Sequence, residues 1–119
     1  MELAVERLDG AALVSVSGDV DAASSHLLRV AFDELVAAGQ HRFVIDLAGV
    51  PFMDSSGLAT LVQLFKRVRI GEGDVRICAL QPPVLRIFEL VRLTRVFEIF
   101  ETAEEAYASY HEPITREPS

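Results

Sequence analysis

Met53-Asp54-Ser55-Ser56-Gly57-Leu58 places two hydroxyls and a carboxylate just ahead of a stretch in which Leu58, Leu61, Val62, Phe65 and Val68 recur at helical spacing. Short polar side chains in that position face free amides and the positive end of a helix dipole, a setting that tolerates an anion. Two roles fit. Asp54 and Ser55 are good N-cap types, and residue types alone favour this structural role, in which the oxygens satisfy orphan amides. The other is phosphoryl acceptance by a hydroxyl, which would add roughly −1.5 to −2 of charge at neutral pH. A helix start can carry that charge without unfolding, whereas the surface around it would be transformed.

Other chemistry is poorly supplied. A nucleophile elbow needs glycine two positions ahead of its serine, but Met53 precedes Ser55 and Asp54 precedes Ser56 at that spacing. His26, His41 and His111 are too scattered to provide a base and are expected at the surface. No Gly-x-x-x-x-Gly-Lys-Ser/Thr loop is present to hold a phosphoryl donor, so the donor has to arrive on another protein. The single cysteine, Cys78, lies in an apolar run and reads as a small buried hydrophobe. No two histidines share a motif, so no metal site is expected. The chain is expected to bind rather than catalyse, with no cofactor.

The elements that position the serines are legible on either side. Arg42-Phe43-Val44-Ile45-Asp46-Leu47 is an apolar run rich in β-formers, the pattern of a strand covered on both faces. Beyond Leu58 the polar side of the helix is Gln63, Lys66, Arg67 and Arg69, and Gly71 is placed to close its last turn. Upstream, Asp9-Gly10-Ala11 separates two apolar segments and predicts a hairpin. Asp21 can cap a first helix whose apolar stripe is Leu27, Leu28, Ala31, Leu35 and Ala38, closed by Gly39. Downstream come a strand over 75–80 and a helix opened by Pro82-Pro83, carrying Val84, Leu85, Phe88 and Val91 with Arg86, Arg92 and Arg95 as a rim. A strand over 96–100 follows, then a final helix behind the capping box Thr102-Ala103-Glu104-Glu105.

This order predicts an α/β fold: one mixed, mostly parallel sheet of about five strands with right-handed crossovers, an N-terminal antiparallel hairpin and about four helices. Both Asp19-Val20-Asp21 and Asp54-Ser55-Ser56 then fall beyond strand C-termini, where α/β sheets meet ligands and partners. The 119 residues, 50% of them hydrophobic, suit one domain. It is expected over 1–111, with a flexible tail over 112–119 that holds two prolines and little to bury. A net charge of −7 argues against nucleic acid as a partner. No apolar run approaches the roughly 20 residues that span a bilayer, and the first residues lack the pattern of a signal peptide. With one cysteine and no disulfide possible within the chain, a cytoplasmic setting is expected, without membrane insertion.

Gly18-Asp19-Val20-Asp21 before the first helix and Phe52-Met53-Asp54-Ser55-Ser56-Gly57-Leu58 before the second resemble the anti-sigma factor antagonists of the STAS domain family, and the order of elements fits from about Leu3 to Tyr110. The resemblance implies that Ser56, the second serine of the pair, is phosphorylated by a partner that is both an anti-sigma factor and a serine kinase. It implies binding to that partner in the unphosphorylated state, which frees a sigma factor, and release on phosphorylation, with a phosphatase to reset the switch. Asp21, Asp54, Ser55, Ser56, Gly57 and Leu58 form the implied partner-binding surface, Gly57 by permitting close approach. Ala59 departs from the pattern, since many members carry glycine there. The competing function is a soluble STAS subunit that regulates a membrane transporter or lipid-transfer complex.

Overall fold

Strand β1 (Glu2–Leu8) turns through Asp9 and Gly10 into β2 (Ala11–Ser17), and Gly10 takes the positive φ of 84° that the tight connection demands. Ala11, expected in the turn, is the first residue of β2 and is buried. Helix α1 (Ser25–Ala37), strand β3 (Arg42–Gly49), helix α2 (Ser55–Ile70), strand β4 (Asp74–Cys78), helix α3 (Pro82–Leu90), a 3-10 turn at Leu93–Arg95, strand β5 (Glu98–Phe100) and helix α4 (Ala103–Ser109) follow. The computed structural model describes residues 1–111; the tail expected over 112–119 lies outside the described residues.

The five strands lie in the order in which they occur, β1-β2-β3-β4-β5, with β1 antiparallel to β2 and every later pair parallel. Right-handed crossovers that step in one direction must leave their helices on one face of the sheet. The main core records this: Leu28 and Phe32 of α1, Leu61 and Leu64 of α2, and Val84 and Phe88 of α3 pack with Phe43, Ile45, Leu47, Val75 and Ile77. Helix α4 covers the opposite face through Ala106, against Val44 and Cys78. Consecutive residues 43, 44 and 45 are therefore all buried, as the unbroken apolar run predicts.

Several boundaries and stripes differ from those the periodicity predicts. Leu27 is 47% exposed and Phe32 takes its place in the core, because α1 starts at Ser25 and faces the sheet with Leu28, Phe32 and Leu35. Leu64 joins Leu61 and Val68 as the buried edge of α2, while Leu58, Val62 and Phe65 are only partly covered. Gly39 has the left-handed conformation of a C-terminal stop, at φ 96°. Gly71 does cap α2, but with φ −97°, and the left-handed residue is Glu72. Gly73 is the glycine that sterics demand, since a Cβ there would lie 2.0 Å from the His41 carbonyl oxygen. The predicted strand over 75–80 runs from Asp74 to Cys78 and that over 96–100 shrinks to Glu98–Phe100, because the 3-10 turn ahead of β5 delays its pairing. Val91, expected in the core, caps α3 and faces solvent.

Candidate functional site

The β2–α1 and β3–α2 loops are tied into one piece. Gly18 N donates to Gly49 O at 2.8 Å, Val20 N donates to Phe52 O at 3.0 Å, and Asp54 N donates to Val20 O at 3.0 Å, so Val20 and Met53 form an isolated parallel bridge. Side chains alternate across such a bridge. Val20 and Met53 point inward and are buried, while Asp19 and Phe52 on one side and Asp21 and Asp54 on the other turn outward. Two loops that are remote in sequence thus present one surface.

Inside that surface lies the start of α2. Gly57 is buried against the bridge, and a Cβ there would sit 2.7 Å from both Met53 Cγ and Val20 Cγ1. The resemblance put Gly57 in the partner-binding surface, and the structure gives it a packing role at that place. Its bare backbone lets the helix seat on Met53 and Val20. Leu58, the other apolar member of the expected set, packs partly against the core.

The cap of α2 is Asp54. Its Oδ1 accepts from Ser56 N at 2.8 Å and from Gly57 N at 3.4 Å, while its carbonyl takes the first helical bond from Leu58 N at 3.1 Å. Of the two cap candidates that the residue types offered, Asp54 and Ser55, the Asp54 carboxylate therefore does the capping. Ser55 is the first helical residue and exposed; Ser56 is the second and partly exposed. One turn on, the buried Thr60 hydroxyl donates to Ser56 O at 2.9 Å, a tie invisible in the sequence.

Asp21 closes a turn one step ahead of α1 instead of capping the helix itself, because residues 22–24 intervene. Its Oδ1 accepts from Ala23 N and Ser24 N, each at 3.1 Å, and from the Ser24 hydroxyl at 3.0 Å. In return Asp21 N donates to Ser24 Oγ at 3.0 Å. The Ser24 hydroxyl, then the Ser24 amide, hold the Asp21 carboxyl below the usual carboxylate range, so it stays charged at any physiological pH. Ser24 was missed by the sequence reading, although a serine three residues after an aspartate is a recognisable turn signal.

His26, His41 and His111 are all exposed and far apart in the chain, and no group of three metal-ligating side chains occurs among the described residues. Arg86, Arg92 and Arg95 are exposed as a solvated rim.

This pair of bridged loops, ending in a capped helix that starts with an exposed and a partly exposed serine, accompanies a match of residues 2–106 to the STAS domain model. The chain belongs to the STAS domain family. Among relatives of this STAS domain is the anti-sigma-B factor antagonist of Bacillus subtilis, 30% identical over 91 residues that cover 76% of this chain and 83% of that protein. The crystal structure of an anti-sigma factor antagonist from Mycobacterium paratuberculosis superposes with a TM-score of 0.86 at 30% identity, over 93% of this chain and 94% of that one. The phosphorylated form of the Bacillus cell fate determinant SpoIIAA shares the fold, with a TM-score of 0.75 at 17% identity over 92% and 99% of the two chains.

Proposed function

We propose that this STAS domain is an anti-sigma factor antagonist controlled by phosphorylation of Ser56. Unmodified, the bridged loops dock onto an anti-sigma factor that is also a serine kinase, which then cannot hold its sigma factor. The kinase transfers a phosphoryl group to Ser56 Oγ, the antagonist is released, and a phosphatase removes the group.

The observation that carries this reading is that Asp54 caps α2, leaving Ser55 and Ser56 with hydroxyls that the helix start does not need. Of the two, Ser56 is the proposed acceptor, with Ser55 beside it at the contact. Antagonists among the relatives and the existence of a phosphorylated protein of this fold support the same conclusion.

Charge makes phosphorylation a release signal. A phosphoserine at position 56 would carry roughly −1.5 to −2 of charge. It would stand beside the carboxylate of Asp54, which follows Met53 in the bridge as the ionised Asp21 follows Val20. The helix dipole accepts the dianion locally, so the fold persists. Burying it at an interface without a matching cation costs roughly 3 to 5 kcal/mol, on the order of a hundred- to several-thousand-fold in affinity. That is enough to dissolve a working complex.

The test is to incubate the protein with kinase-type anti-sigma factors and ATP and to map the product by mass spectrometry. One phosphate on Ser56, absent in Ser56→Ala, is expected, together with much weaker partner binding by Ser56→Asp. Equal phosphorylation of Ser56→Ala would refute the acceptor, and full affinity of Ser56→Asp would refute charge as the means of release.

A further inference from the structure

Phe52 is a large aromatic that the fold does not use. It belongs to neither core cluster, and 46% of it is exposed. Yet its backbone is held firmly. Its carbonyl accepts from Val20 N at 3.0 Å, and the next two residues complete the bridge through Met53 and the Asp54 amide. The alternation that buries Met53 forces the Phe52 side chain outward, beside Asp19 and on the same surface as Asp21 and Asp54. A half-exposed ring on a rigid backbone loses little conformational freedom on docking, and aromatics in that situation recur as binding hot spots.

We infer that Phe52 is the apolar anchor of the partner interface, inserting into an apolar socket on the kinase whose mouth carries an Arg or Lys side chain facing Asp19, the exposed carboxylate beside the ring. This rests on the proposed function above and divides the labour within it. Phe52 supplies affinity in the docked state, the carboxylates orient the approach, and Ser56 decides whether the complex persists. The partner's chemistry follows from what surrounds the ring. An apolar pocket alone would leave the Asp19 carboxylate facing it unpaired, and a cationic patch alone would leave the ring in water.

The experiment uses the full chain and its kinase-type anti-sigma factor. Partner affinity without ATP, and KM and kcat for phosphorylation with ATP, are measured for wild type, Phe52→Ala, Phe52→Leu and Ile70→Ala. Ile70 is an exposed apolar residue at the far end of α2 and serves as control. Phe52→Ala is expected to weaken binding by about 30-fold, the scale of a hot-spot truncation, and to raise KM in parallel, with kcat within about twofold of wild type. Phe52→Leu should recover most of the loss and Ile70→Ala should change nothing. The fall of affinity with added salt should keep its slope in Phe52→Ala, because the carboxylates are untouched. Circular dichroism confirms that each variant is folded.

If wild type is bound and phosphorylated while Phe52→Ala matches it in affinity and KM, the anchor is refuted and the phospho-switch stands. A fall in kcat at unchanged KM likewise refutes it, since Phe52 would then position the serine without providing affinity. Should no such kinase bind or modify wild type, the proposed function fails and the anchor falls with it.

Discussion

Asp54 does two things at once: it holds the amides of Ser56 and Gly57, and it fixes the charge that a phosphate would meet. Replacing it with alanine removes a cap, and urea unfolding of Asp54→Ala should show a loss of about 1 kcal/mol, within the usual range of 0.5–2. Asp21 makes a different prediction, about pH. Its carboxyl is held below the ordinary 3.8 chiefly by the Ser24 hydroxyl, so the folded state binds that proton less readily than the unfolded chain. The stabilisation from this site is complete above pH 3.8 and is lost as pH falls through the lower, folded value. Following the Asp21 carboxyl by NMR should show a sub-normal titration midpoint in wild type and a higher one in Ser24→Ala. An unchanged midpoint would mean that the hydroxyl is not what favours the anion.

Elements report how far the sequence could be followed. The hairpin was readable because Asp9-Gly10 is a turn signal that depends on the two residues themselves, and β3 because burial on both faces leaves no polar alternation. The serine-bearing helix was readable for the same local reason, a cap type followed by a 3.6-residue stripe. What escaped was set by contacts between segments. The bridge of Val20 with Met53 joins residues more than thirty positions apart, and nothing in either loop announces it. Without that bridge nothing marks Gly57 as buried or Phe52 as exposed; with it, Gly57 seats the helix and Phe52 is turned outward. The exposure of Leu27 and the burial of Phe32 likewise depend on where α1 starts, which Ser24 and Asp21 set through a preceding turn. Gly57→Ala tests the bridge directly. Its added methyl would meet Met53 and Val20 and should cost roughly 1–3 kcal/mol as they shift. Hydrogen exchange at the Val20 and Asp54 amides should accelerate with it, while the amides of β3 and β4 keep their protection.

At the scale of the whole molecule, burial pushes the Cys78 thiol and the Tyr110 phenol up to about 12 each. Both lie on the α4 side, where Tyr110 OH donates to Phe43 O at 2.8 Å and the Arg76 guanidinium rests 3.9 Å from the centre of the ring. Raised values mean that the folded state keeps these protons longer than the unfolded chain, for which 9.0 and 10.0 are ordinary. Their contribution to stability is complete below pH 9.0 and falls as pH climbs towards 12. Melting temperatures measured from pH 8 to 11 should start to fall above 9, and iodoacetamide should label Cys78 only through unfolding. Rapid labelling of the folded protein would show that α4 opens independently. The strand order also carries a consequence for synthesis. Because each strand settles beside the one made just before it, no pairing has to await a distant stretch of chain, and the loops closed are as short as crossover helices permit. The sheet can be laid down row by row as the polypeptide emerges, with β3 and the serine-bearing start of α2 made before α3 and β5 have been translated.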